Sequence, residues 1–77
     1  MLEEMLERLI RNRCELHITP SPTELSTSVM VRVTSHGVTI QFEELVTDTN
    51  HHGFDLLEIE FAIQRLTDKL AANMELQ

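Results

Sequence analysis

The sequence is poor in the residues that small proteins use to reinforce a fold. Its 77 residues include one cysteine, Cys14, together with two glycines, two prolines and no tryptophan or tyrosine. A single cysteine excludes a disulfide within the chain and is typical of a reducing compartment. Because a core of this size rarely supplies more than about 5 kcal/mol, a metal ion or a partner subunit remains as the usual source of additional stability.

Long apolar runs are also missing. A run such as Val29-Met30-Val31 falls far short of the ~20 residues that cross a bilayer. The first five residues carry two glutamates in a region where a secretion signal carries positive charge. We therefore expect a soluble, cytoplasmic protein that has no secretion signal and no membrane partner.

Positive charge is absent from a long stretch of the chain. No lysine or arginine lies between Arg32 and Arg65, and the formal net charge of the whole chain is −7. The acidic residues of that stretch are Glu43, Glu44, Asp48, Asp55, Glu58 and Glu60. An acidic surface repels phosphate backbones and anionic membranes and attracts basic surfaces. The sequence therefore argues against direct binding of nucleic acid.

Hydrophobic periodicity predicts one helix and then one strand at the start of the chain. Five apolar residues follow helical spacing and predict an amphipathic helix over residues 2–12. They are Leu2, Met5, Leu6, Leu9 and Ile10. The alternation of Cys14, Leu16 and Ile18 with polar residues predicts a half-buried strand that ends at the first proline. A serine- and threonine-rich connection is expected to continue through Ser28.

Two further strands are predicted to form a hairpin. Their inward residues are expected to be Val29, Val31, Val33, Val38, Ile40 and Phe42. Between them, His36-Gly37 supplies two residues that can adopt the positive φ of a two-residue turn. This loop length places Val33 opposite Ile40, so the inward residues of the two strands meet.

The last part of the chain predicts a long connection and a second helix. Residues 45–53 are expected to form the connection. Asp55 and Glu58 have the spacing of an N-cap and its capping-box partner, which predicts a helix from residue 56 to about 74. Its apolar face is expected to contain Leu56, Ile59, Ala62, Ile63, Leu66, Leu70 and Met74.

These elements predict one α+β domain over residues 1–77, with the order α-β-β-β-α. We expect two layers, in which both helices pack on one face of a three-stranded antiparallel sheet. This order is similar to that of double-stranded RNA-binding domains. The resemblance is one of topology, and it implies a basic cluster at the start of the second helix. Asp55, Glu58 and Glu60 stand there instead, which argues against RNA as a partner.

No residue pattern indicates catalysis, a metal site or a cofactor. His51 and His52 are adjacent, and neighbours on an extended chain point to opposite sides, so the pair lacks the spacing of a metal site. A calcium loop beginning at Asp48 would need a bidentate glutamate where Ile59 stands. Cys14 is expected to face the core, where a thiol is inert. We therefore expect a protein that is not an enzyme.

One apolar pair is predicted to lie outside the core. Leu57 and Phe61 are four residues apart and lie about 160° around the second helix from its apolar face. An aromatic residue beside a leucine, flanked by Glu58 and Glu60, has the composition of a binding hot spot with a charged rim. The alternative is that the 45–53 connection folds over the pair.

We therefore expect a non-enzymatic, acidic protein-interaction module. It would act as an inhibitor or regulator that occludes a basic, nucleic-acid-binding surface of a partner protein, mimicking nucleic acid as small phage-type inhibitors do. The predicted partner-binding residues are Leu57, Phe61, Glu58, Glu60, Glu43, Glu44, Asp48 and Asp55. We also expect a homodimer, and a homodimeric structural or adaptor protein is the alternative function. A small metal-dependent regulator that uses His51 or His52 is a third hypothesis.

Overall fold

A long antiparallel hairpin forms the centre of the fold. The computed structural model describes residues 2–21, 26–47 and 56–73. Strands β2 (Ser26–Ser35) and β3 (Val38–Thr47) pair along their full length of ten residues each. Such complete pairing gives the helices a continuous surface on which to pack.

The turn of this hairpin has the predicted geometry. His36 and Gly37 have φ angles of 53° and 79°, and two successive positive φ values match the twist of the flanking strands. Val33 lies opposite Ile40, so the predicted register is confirmed. Val33 is buried and Ile40 packs against the core.

Both hairpin strands extend further than the sequence pattern predicted. Ser26 to Ser28 and Leu45 to Thr47 were expected in connections, yet they pair with each other at the end of the ladder. Thr27 occupies an inward position opposite Val46 and is buried. β-Branched threonine fits a pleated, half-buried surface as valine does, so a polar sequence here still forms a strand.

Strand β1 (Glu15–Pro20) completes the sheet on the other side of β2. The strand order is β1-β2-β3, and both pairings are antiparallel. Leu16 lies opposite Val31 and packs against the core, as predicted. Ile18 was expected to be half-buried as well, but it is exposed. Edge strand β1 is therefore covered only over part of its length.

Helix α1 (Leu2–Arg11) ends one residue before its predicted end. The backbone N–H of Cys14 donates to the carbonyl of Leu9 at 2.9 Å, and Arg13 between them adopts a left-handed φ of 56°. This arrangement satisfies carbonyl groups at the helix end. Met5 and Leu9 are buried as predicted, whereas Ile10 is 75% exposed, so the apolar face of α1 is narrower than its sequence spacing indicates.

Helix α2 (Leu56–Asn73) supplies the larger part of the helical layer. Its buried residues are Ile59, Ala62, Ile63, Leu66, Thr67 and Leu70. Leu56 was predicted on this face but is exposed, since it begins the helix. Thr67 is also buried, and its hydroxyl donates to the carbonyl of Ile63 at 2.7 Å. This hydrogen bond avoids the cost of burying an unpaired polar group. Met74 and Asp55 lie outside the described residues.

The core lies between the two helices and one face of the sheet. It consists of Met5, Leu9, Val29, Val31, Val33, Ile59, Ala62, Ile63, Leu66 and Leu70, with Cys14, Leu16, Ile40, Phe42 and Val46 packed against it. The predicted α-β-β-β-α order and two-layer architecture are confirmed. Within the described ranges, no helix combines the length and the hydropathy needed to cross a bilayer.

Candidate interaction surface

The outward side of α2 exposes two large apolar side chains. Leu57 is 56% exposed and Phe61 is 42% exposed. Residues four apart lie on the same side of a helix one turn from each other. The buried residues of α2 occupy the opposite side. We call Leu57 and Phe61 the α2 patch.

Part of the connection predicted before α2 belongs to a strand. Strand β3 continues to Thr47 and so takes up the first part of the predicted 45–53 connection. The remainder of that connection lies outside the described residues. Phe61 still keeps more than a third of its surface exposed, so the α2 patch offers apolar area that a second molecule would bury.

The two acidic neighbours of Phe61 on α2 lie on different flanks of the patch. With about 100° per residue, Glu58 lies roughly 60° from Phe61 on one flank and Glu60 roughly 100° from it on the other. Glu58 is exposed and Glu60 is half-buried. Arg65 stands on the Glu58 flank. Its hydrogen bonds to Glu44 are the main cause that raises the pKa of the arginine, and the charge of Glu58 adds to this shift. The rim is therefore acidic on one flank and of mixed sign on the other.

Glu44 connects this flank to the sheet. The Nε of Arg65 donates to both carboxylate oxygens of Glu44 at 3.1 Å, and the Nη2 donates to Oε1. These hydrogen bonds are the main cause that lowers the pKa of Glu44, and the charge of Lys69 lowers it further. The pair thus links α2 to β3, and the positive charge of Arg65 offsets the negative charge of Glu44.

Glu43 lies on the other face of the sheet. Its Oε1 accepts a hydrogen bond from the hydroxyl of Ser28 at 2.9 Å, and its side chain alternates with those of the inward residues Phe42 and Glu44. Of the predicted partner-binding residues, Leu57, Phe61, Glu58 and Glu60 occur together on α2 and Glu44 lies at one flank. Glu43 is separated from them, and Asp48 and Asp55 lie outside the described residues.

The sheet face opposite the helices is mainly polar, with Met30 and the exposed Leu45 as its apolar members, and several of its polar side chains bind one another. Arg32 donates from Nε and Nη2 to the two carboxylate oxygens of Glu15, both at 2.8 Å. Hydrogen bonds from Arg32 and then from His17 lower the pKa of Glu15 to about 2. Thr34 and Thr39 share a hydrogen bond of 2.9 Å. The polar groups of this face are therefore largely satisfied within the chain.

A groove of about 230 Å³ separates the two helices. It is lined by Glu4, Met5, Arg8, Gln64 and Thr67. The hydroxyl of Thr67 already donates to a backbone carbonyl of α2. In the described part of the chain, no buried side-chain nitrogen or oxygen lacks a hydrogen bond. The described lining of the groove therefore contains no buried unsatisfied group aimed at a ligand.

The described residues do not assemble a metal site. Among residues 2–21, 26–47 and 56–73, no three histidine, cysteine or acidic side chains come close enough to hold a metal ion. His51 and His52, the residues of the metal hypothesis, lie outside these ranges.

Cys14 has the properties of a packing residue. Its side chain packs against the core, as predicted, but is only partly buried. Burial raises the pKa of the Cys14 thiol, although the charge of Arg8 opposes the shift. A thiol with a raised pKa forms little of the thiolate that acts as a nucleophile.

Comparison of the chain with known protein families, curated proteins and solved structures finds no match. Among the described residues, Leu57 and Phe61 lie one helical turn apart and form an exposed apolar pair with charges of both signs beside it, whereas Ile10 and Leu45 are exposed singly.

Proposed function

We propose that the protein is a non-enzymatic interaction module that binds a basic surface of another protein through the outward side of α2. The observation that carries the proposal is the exposure of Leu57 and Phe61 on a helix whose other side forms the core. Phenylalanine can bury roughly 150–250 Å² in an interface. An anchor of this kind, surrounded by charged residues, is typical of binding hot spots.

The charge of the chain supports a basic partner. The net charge of −7 attracts positively charged proteins over distances of several ångströms and so accelerates encounter. Glu58 and Glu60 stand on either side of Phe61, where they would meet lysine or arginine residues around the anchor. Glu43, Asp48 and Asp55 would add to this attraction at longer range. Glu44 contributes less, because Arg65 already binds it.

The proposed mechanism is competitive. A partner that uses its basic surface to bind nucleic acid would be blocked when the carboxylates of the module take the positions of the phosphates. Salt would weaken both interactions, since each depends on the attraction of opposite charges. The module would thereby act as an inhibitor or regulator, in the manner of small phage-type inhibitors.

The proposal includes a cytoplasmic location and a homodimer. A single cysteine is typical of a reducing compartment. The exposed pair Leu57 and Phe61 offers apolar area that a second copy of the chain would bury.

A capture experiment with three immobilised proteins tests the proposal. They are the wild type, Phe61→Ala and the matched control Val38→Ala, which removes apolar surface from a residue that is 57% exposed at the hairpin end. We expect a specific partner to bind the wild type and Val38→Ala and to be lost with Phe61→Ala. The purified partner should also release a short nucleic-acid duplex when the wild type is added.

Two results would contradict the proposal. One is a partner that binds Phe61→Ala as well as it binds the wild type. The other is a partner whose binding to the duplex is unaffected by the module. Glu58→Lys and Glu60→Lys refine the test, because charge reversal in the rim should slow association and reduce its dependence on salt.

A further inference from the structure

The charges beside the α2 patch complement a second copy of the same chain. Glu58 lies three residues before Phe61 and Arg65 lies four residues after it, and both occupy the same flank of α2. When two α2 helices cross antiparallel at Phe61, each Glu58 comes beside Arg65 of the other copy. The residual offset is about one residue, or roughly 1.5 Å along the helix.

We propose that in the free protein two copies pack their α2 helices antiparallel around Phe61, so that self-association masks the surface that binds the partner. The proposal rests on the proposed function for the identity of the masked surface. It adds that a second copy of the chain occupies the same surface. Dimer formation and partner binding would then compete, which is a form of regulation.

A two-fold axis through this contact brings like flanks together. In an antiparallel pair related by such an axis, the Glu58 flank of one helix faces the Glu58 flank of the other. Arg65 on that flank has a half-exposed side chain even though it binds Glu44. Glu58 of the second copy would therefore join the existing pair of Glu44 and Arg65 and form a cluster of three charged residues.

The centre of the contact is apolar. Phe61 would pack on Phe61 of the second copy. Leu57 lies on the flank opposite Arg65 and would pack beside Gln64 of the second copy. Glu60 lies roughly 100° from Phe61, on the flank towards the groove between the helices, and so stays outside the contact. A purely acidic rim would repel its own copy, whereas the flank that holds Arg65 does not.

The expected dimer is weak enough to be displaced. A contact made by one helix from each copy is small compared with the roughly 1,200 Å² that stable interfaces bury. Such a dimer dissociates readily. A basic partner that offers a larger contact to the same patch would replace the second copy, and dilution would favour the free monomer.

Sedimentation velocity on purified protein tests the proposal without any partner. The wild type should shift from monomer to dimer as its concentration rises to about 1 mM, where even weak complexes become populated. Phe61→Ala should remain monomeric, and Val38→Ala should behave as the wild type. Glu58→Arg and Arg65→Glu should each remain monomeric, because each homodimer would then place like charges together.

An equimolar mixture of Glu58→Arg and Arg65→Glu gives the decisive reading. In the mixed dimer both contacts again join opposite charges, so association should return to the level of the wild type. If Arg65→Glu unfolds because its carboxylate lies beside Glu44, the double variant Glu44→Gln/Arg65→Glu replaces it, and circular dichroism verifies the fold of every variant.

The outcomes separate this inference from the proposed function. A wild type that stays monomeric, or single charge reversals that leave the dimer intact, or a mixture that stays monomeric, would each overturn the α2 dimer. These results concern one purified chain. Partner binding is decided independently by the capture experiment with Phe61→Ala and Val38→Ala.

Discussion

The two outer surfaces of the domain differ in whether their side chains bind one another. On the open face of the sheet, Glu15 binds Arg32 and Ser28 binds Glu43. On the outward side of α2, Leu57 and Phe61 remain exposed. A surface that satisfies its own polar groups gains little from a partner, whereas exposed aromatic and aliphatic groups gain from burial. Leu45 is also exposed on the sheet face, but Leu57 and Phe61 form a pair, so the comparison supports the proposal that the helical side binds.

The largest expected effect is a difference in unfolding free energy between substitutions on the two sides of α2. Ile63→Ala removes a buried side chain between helix and sheet and should cost about 2–5 kcal/mol of unfolding free energy. Phe61→Ala, on the outward side, should change it by no more than about 0.5 kcal/mol. Denaturant melts measure both values. A loss below about 1 kcal/mol for Ile63→Ala would show that the inner side of α2 has been misassigned.

A smaller effect is expected at the ion pair that joins α2 to β3. Glu44→Gln should lower the unfolding free energy by about 0.2–1 kcal/mol at neutral pH, since the pair is partly exposed and screened by solvent. The pKa of Glu44 is lowered in the fold, so its contribution is present above the ordinary glutamate pKa.

The pH dependence of this pair provides the control. The difference between wild type and Glu44→Gln should shrink as the pH falls from the ordinary glutamate pKa through the lowered pKa of the folded state. Melts at a series of acidic pH values measure this trend. A difference that stays constant across the series would mean that the ion pair does not hold the helix.

The open sheet face should show an electrostatic effect with little change in stability. The pKa of Glu15 is lowered to about 2, first by hydrogen bonds from Arg32 and then by His17. In Arg32→Gln the midpoint should rise towards the ordinary glutamate value. Nuclear magnetic resonance titration of the Glu15 carboxyl carbon measures the shift. An ordinary glutamate midpoint in the wild type would show that Arg32 and His17 do not bind Glu15 on this face.

The hairpin was predictable because two independent signals agree. Loop length at His36-Gly37 and alternation of valines specify the same register, which the structure confirms with Val33 opposite Ile40. The ends of the strands were missed because Thr27 is buried in a stretch without an apolar pattern. The sequence spacing of Ile10 also indicated burial, but spacing does not reveal how far a neighbouring element extends to cover a residue.

The candidate surface was only partly predictable. Helical geometry sufficed to place Leu57 and Phe61 away from the core. The role of Glu44 was not predictable, because its bond to Arg65 depends on how α2 lies across β3. The acidic stretch read from the sequence is thus divided in space. Glu43 belongs to the open sheet face and Glu44 to the helical side.

The central claim is that the outward side of α2, and not the open sheet face, binds other molecules. Site-specific photo-crosslinking in the cell of origin tests it most directly, with a photoreactive residue at Phe61 in one variant and at Thr39 on the sheet face in another. The account predicts discrete crosslinked species, to a partner or to a second copy, from position 61 and none from position 39. Crosslinks from position 39 alone, or equal crosslinks from both, would contradict it.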